Sequence, residues 1–229
     1  MSKPALPVTI TVDAGLTVSG LIQAPSRARA CLVLAHGAGA GMTHQFMTAI
    51  SEGLSRHHIA TLRYQFPYME RGGRRPDPPA LAQRAVRAAV GEAAQRFPDL
   101  PLLAGGKSFG ARMTSQAQAG APLPSVQGLV FLGFPLHPPK NPSTKRADHL
   151  ASVEIPMLFL QGTRDDLADL ALLEPIVKGL GRKGELHVID DADHSFHVRV
   201  RSGRTDQEAI EEMLDVISIW AGRRENIGP

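Results

Sequence analysis

Residues 102–113, LLAGGKSFGARM, hold a serine between two glycines in the order Gly106-Lys107-Ser108-Phe109-Gly110. In a G-x-S-x-G turn, a strand passes sharply into a helix. The serine hydroxyl is lifted clear of the sheet and lies close to a helix N-terminus, whose dipole favours developing negative charge. The flanking glycines are needed because side chains there would collide with neighbouring backbone. Gly106-Lys107-Ser108 is also the tail of a phosphate-binding loop, but that motif requires a glycine five positions before Gly106. Pro101 stands there, with no N–H and a fixed φ. The nucleophile turn is therefore the reading retained.

A serine hydroxyl is a weak nucleophile until a base takes its proton, and the base needs a carboxylate to fix its tautomer. Of the nine histidines, His194 is best placed. It follows ELHVID (185–190) in DDADHSF, where a last sheet strand would deliver it to the edge at which Ser108 emerges. His197 is the reserve. FLQGTRDD supplies two carboxylates directly after IPMLFLQG (155–162). Asp165 is favoured by its spacing from Gly162, while Asp166 fits equally as a cap for the next helix. A charged tetrahedral oxygen also needs two N–H donors. Phe109, directly after the serine, supplies one. The glycine-rich loop HGAGAGMTH (36–44) supplies the other, assigned to Ala38 with Gly39 as the alternative. The acids Asp190, Asp191 and Asp193 are too close along one loop to converge on an ion, so neither metal nor organic cofactor is expected.

The elements that must position these residues follow from hydrophobic patterning. VTITVD (8–13) alternates as a half-buried strand, with TVSGLIQAP (17–25) as its hairpin partner. ACLVLAHG (30–37) is a continuous apolar run, the mark of a strand covered on both faces. A helix is expected over about 43–57, then a strand in IATLRYQFP (59–67) ended by Pro67. DPPALAQRAVRAAVGEAAQRF (77–97) reads as an amphipathic helix with Asp77 as N-cap and Pro78 in its first turn. PLLAGG, a helix from Ser108, the strand VQGLVFLGF (126–134), IPMLFLQG, a helix near 168–180 and ELHVID follow. TDQEAIEEMLDVISIWAG (205–222) closes the chain as a helix, with Thr205 and Glu208 forming a capping box. Strands alternating with helices specify an α/β domain with a mostly parallel sheet, and in such sheets ligands gather at the carboxyl ends of strands.

The bulk numbers agree with an ordinary globular protein: 229 residues, 43% hydrophobic, 21% charged, which suits a single domain over 1–229. The net charge of +3 is too small to argue for nucleic acid or a membrane surface, although 19 of the 25 basic residues are arginine. Cys31 is the only cysteine and reads as a small core residue. With no internal disulfide, no signal-peptide pattern and no long apolar run, a cytoplasmic protein is expected.

Together, AHGAGAGMTHQFM, FPYMERGGRRPD, GGKSFGARM, GFPLHPPK, the ADHL before IPMLFLQGTRD, and DADHSF resemble the α/β-hydrolase superfamily over essentially the whole chain. More narrowly, they are similar to its small lidless branch related to dienelactone hydrolases, nearest to the testis-expressed hydrolase-like proteins and the NSL-complex subunit. The chain order Ser, Asp, His is the one that superfamily uses. The resemblance implies an eight-stranded, mostly parallel sheet flanked by helices and a Ser108-His194-Asp165 triad acting on small carboxylic esters or thioesters through an acyl-enzyme. It implies further that His44, Tyr68, Arg75, His137, Arg146 and His149 line or brace the pocket mouth. The NSL-like relatives use the fold partly as a scaffold, which leaves a catalytically silent binding protein as the alternative. After GTRD the family often turns with Pro and Gly, whereas here Asp166-Leu167-Ala168 follows. Only fifteen residues, 140–154, separate GFPLHPP from IPMLFLQ, too few for a cap domain. The cluster Arg71, Arg74, Arg75 reads as solvated charge, with contact to an anionic substrate as the alternative.

Overall fold

The computed structural model describes residues 4–223. Its centre is an eight-stranded sheet in the order β1-β2-β4-β3-β5-β6-β7-β8. β1 (Leu6–Asp13) and β2 (Leu16–Gln23) form the expected antiparallel hairpin. Gly15 turns between them at φ +79°, a left-handed conformation that costs glycine little. β2 pairs antiparallel with β4 (Ile59–Tyr64). From there β3 (Ala30–Ala35), β5 (Leu102–Lys107), β6 (Val126–Leu132), β7 (Met157–Gly162) and β8 (Gly184–Ile189) run parallel.

The continuous apolar runs are explained by two cores, one on each face of the sheet. Cys31, Val33 and Ala35 of β3 pack into one, with α3 (Pro79–Arg96) and α4 (Phe109–Gly120) above them. Leu32 and Leu34 enter the other, beneath α1 (Gln45–Arg56) and α6 (Asp206–Gly222). Successive side chains on a strand point to opposite faces, so a strand covered on both must be apolar throughout. Burial pushes the Cys31 thiol up to about 12, leaving it an inert core group.

Three local expectations are corrected. β4 ends at Tyr64, before Pro67, because the Phe66 N–H bonds to the His36 ring at 3.0 Å. Pro67 instead opens a short helix, α2 (Pro67–Glu70). Asp77 does not cap α3, whose N-cap is Pro78. Its buried carboxylate accepts from Tyr68 N–H at 2.7 Å and pairs with Arg71 at 2.8 Å, neither of them on α3. Nor does Asp166 cap α5 (Leu170–Gly179): that role falls to Asp169, which accepts from Ala171 N–H at 2.9 Å. The capping box of Thr205 and Glu208 on α6 is present as read.

Between β6 and β7 the chain makes only loops and a 3₁₀ segment, Lys145–Ser152, that packs on α4. Among the described residues there is no cap domain, and no helix is long and apolar enough to cross a membrane.

Candidate active site

Ser108 sits between β5 and α4 at φ +51°, ψ −111°, a strained conformation for a residue with a side chain. The turn is tight because it passes under β3. A Cβ on Gly110 would lie 2.6 Å from the Ala35 carbonyl oxygen and 2.7 Å from that of His36. Gly106 backs onto the same Ala35 carbonyl. Neither contact leaves room for a methyl group, which is why the motif needs glycine on both sides.

His194 reaches Ser108 from the loop after β8, and the neighbouring acids shape that loop. Asp193 Oδ1 accepts from the N–H groups of Ser195 (2.8 Å) and His197 (3.0 Å). Asp191, itself at φ +54°, accepts from Arg199 N–H at 2.9 Å and from Arg199 Nε at 3.0 Å. Asp190 is exposed. The acidic string thus holds backbone and arginine.

His194 Nε2 lies 2.8 Å from Ser108 Oγ, and its Nδ1 lies 2.7 Å from Asp165 Oδ2. The carboxylate only accepts, so Nδ1 carries the proton and the bare Nε2 faces the serine hydroxyl. Asp165 is itself tied down: Leu167 N–H donates to Oδ1 at 2.8 Å, and Gln161 Nε2 donates to Oδ2. Gln161 cannot flip without loss, because its Oε1 accepts from Phe134 N–H at 2.9 Å. Asp166 is exposed. His197 pairs with Asp206 at 3.0 Å on the surface, away from Ser108.

The loop after β3 is braced from behind. The buried His36 accepts from Phe66 N–H through Nε2, so its Nδ1 carries a proton and donates to Gly37 O at 2.7 Å. Burial pulls its pKa down to about 4, keeping the ring neutral. Tyr68 Oη donates to Ala38 O at 2.8 Å. Since a trans peptide is planar with N–H opposite C=O, holding Gly37 O turns the Ala38 N–H the other way. Phe109 opens α4, where backbone N–H groups have no partner within the helix. Ala38 and Phe109 both border the space beside Ser108.

Two clefts meet at Ser108. One, of about 370 Å³, runs past Gly37, Ala38, His44, Phe46, Met47, Lys107 and His194. The other, of about 400 Å³, runs past Phe109, Arg112, Pro135, Pro138 and Arg146. Ala38, Ser108 and Leu167 border both. The family model describing an alpha/beta hydrolase domain matches residues 28–222. The chain belongs to the α/β-hydrolase family.

Solved structures agree on the fold. This α/β-hydrolase is similar to dienelactone hydrolase from Anabaena variabilis, at 20% identity and TM-score 0.78, over 98% of this chain and 99% of that one. It is similar to the esterase domain of a Rhodothermus marinus protein, at 15% identity and TM-score 0.73, over 98% and 100%. A serine hydrolase without a lid from Xanthomonas campestris matches at 18% identity and TM-score 0.70, over 95% and 96%. The resemblance read in the sequence therefore holds for the α/β-hydrolase family and, among the described residues, for a fold without a cap domain.

The residues carried over for the pocket mouth divide. His44 lines the first cleft and caps α1 through Phe46 N–H at 3.3 Å, and Arg146 lines the second. Tyr68 braces the Ala38 loop. His137 borders neither cleft: its Nε2 accepts from Asp169 N–H at 2.9 Å and its Nδ1 donates to Pro138 O at 2.9 Å, stapling the segment after β7. His149 lies behind α4, bonded to Ser115 Oγ at 2.7 Å, with its pKa drawn down to about 4 by burial and by Arg112. Arg75 is a correction: it is exposed and on neither wall, because the loop before α3 carries it outward while Asp77 anchors that loop inward. Arg74 is also exposed, and Arg71 is spent on Asp77.

Sequence reasoning missed Lys107, the first x of the motif. Its ammonium donates to the His194 main-chain carbonyl and lies 5.1 Å from the Phe196 ring centroid and 6.0 Å from that of Phe46. Burial lowers its pKa to about 8, against the pull of Asp165 and Asp193. Below that pH the charged group pins the loop that carries His194. Above it the ammonium is neutral and the bond weakens. A rate that depends on His194 should therefore fall as pH rises through about 8. In Lys107→Met, that falling limb should vanish from the pH–rate profile and turnover at pH 7 should drop about tenfold, the worth of one charge-assisted hydrogen bond. An unchanged limb in the variant would assign the titration to another group.

Proposed function

We propose that the protein is a serine hydrolase that cleaves small carboxylic esters or thioesters through an acyl-enzyme. The observation that carries the reading is the continuous relay of Ser108 Oγ, His194 Nε2, His194 Nδ1 and Asp165 Oδ2, with its two links at 2.8 and 2.7 Å. In this reading Ser108 Oγ attacks the acyl carbon while His194 Nε2 takes its proton, and Asp165 stabilises the imidazolium. The tetrahedral oxyanion is held by the N–H groups of Phe109 and Ala38, at the positive end of α4. Collapse expels the alcohol or thiol, which leaves with the proton from His194. Water then attacks the acyl-serine with His194 again as base, releasing the acid and restoring Ser108.

No step requires a metal or an organic cofactor, and the partner is a small-molecule substrate. Two uncapped clefts leading to one hydroxyl suit an ester whose acyl and leaving portions extend in different directions.

A fluorophosphonate probe tests the reading, since it reacts only with an activated serine. The native protein should be labelled stoichiometrically and Ser108→Ala not at all. A folded native protein that takes no label would instead support a silent binding role for the fold.

A further inference from the structure

The second cleft has a composition that the proposed reaction does not require. Arg112 and Arg146 both line it, together with Pro135, Pro138 and Leu167. Arg112 lies on α4 one turn after Ser108, and its Nε is sealed from solvent with no hydrogen-bond partner. Among the described residues its guanidinium makes no ion pair. Among the described residues Arg146 hydrogen-bonds only to the Pro135 carbonyl, at 3.4 Å. The carboxylate on this wall, Asp77, is already taken by Tyr68 N–H and Arg71. Burial and the charge of Arg146 hold Arg112 below its ordinary pKa, and burial does the same to Arg146.

Two like charges, partly stripped of water and without a counter-charge, destabilise a fold. A ligand that brings the missing negative charge removes that penalty as it binds. A guanidinium presents a planar fork of N–H donors that matches the paired oxygens of a carboxylate or phosphate.

We propose that this second cleft is an oxyanion subsite formed by Arg112 and Arg146, which selects substrates carrying a carboxylate or phosphate group beside the bond that is cut. The reference to a cleaved bond rests on the serine-hydrolase reading; the binding of the anion does not. The substrate then lies across Ser108 with its charged end between the arginines and its apolar end against Phe46 and Met47 in the first cleft.

Two measurements on the full chain test this. The first compares kcat/KM for 4-nitrophenyl hydrogen glutarate with that for neutral 4-nitrophenyl butyrate. The native protein should favour the charged ester, and Arg112→Met or Arg146→Met should lower that ratio roughly 10- to 100-fold. Arg75→Met, on neither cleft wall, should leave the ratio unchanged. Arg112→Lys, which keeps the charge and loses the fork, should fall between native and Arg112→Met.

The second measures melting temperature in glutarate and in phosphate against chloride at equal ionic strength. The native protein should melt higher in at least one of the two, and the Met variants should lose that rise. Which anion acts identifies the group as carboxylate or phosphate. No rise in the native protein with either anion, or a rise kept undiminished in both Met variants, overturns the subsite. A native protein that cleaves neither ester and takes no fluorophosphonate removes the hydrolase reading, while the melting experiment still decides the subsite.

Discussion

His194→Ala should lower ester turnover by on the order of 10³ or more, with the melting temperature little changed. Among the described residues the ring is the one group bonded both to Ser108 Oγ and to Asp165, so in the proposed mechanism its loss strands the hydroxyl proton and leaves the leaving group without an acid. The backbone should hold, because Lys107 bonds the His194 carbonyl and Asp193 caps the loop, and neither contact uses the ring. Groups that act as a unit are not additive. The double variant Ser108→Ala/His194→Ala should therefore be no slower than the slower single variant. Steady-state kinetics on an activated ester read all three. Retained activity in His194→Ala, with loss in His197→Ala, would move the base.

Asp165→Asn should cost about 10⁴ in kcat, the scale seen when a triad histidine is given the wrong tautomer. The argument is one of donor counting. Both carboxylate oxygens already face donors: Leu167 N–H at Oδ1, Gln161 Nε2 and His194 Nδ1 at Oδ2. An asparagine must turn its NH₂ toward one of these sets. If it faces Leu167, two donors meet in a buried site and the fold is weakened. If it faces His194, Nδ1 must become the acceptor, the proton moves to Nε2, and Nε2 can no longer take the proton from Ser108. Asp166→Asn, on an exposed side chain, should change turnover less than twofold. Equal losses in the two variants would undo the assignment of Asp165.

What was legible beforehand, and what was not, divides along physical lines. Strands buried on both faces must be apolar throughout, so β3, β5, β6 and β7 could be read from their runs. That Ser108, Asp165 and His194 come together could be expected because each follows a strand of the parallel sheet, which gathers its strand ends at one edge, although β8, before His194, is only partly buried. The start of α3 was misread because Asp77 satisfies the statistics of a cap, whereas its partners, Tyr68 on α2 and Arg71 just past its end, are invisible along the chain. Lys107, Gln161 and His36 were missed for the same reason: their roles depend on groups 87, 27 and 30 residues away. A signal did exist for Gln161, a polar residue inside the otherwise apolar run MLFLQG, since a buried amide must find partners.

The bare rim around Ser108 carries a kinetic consequence. With only loops and a 3₁₀ segment between β6 and β7, no segment among the described residues covers Ser108 that would have to swing aside before each turnover of the proposed reaction. Such a protein would treat an oil droplet as a mere reservoir: its rate should track the dissolved ester alone, level off by ordinary saturation, and show no jump where the ester begins to separate from water.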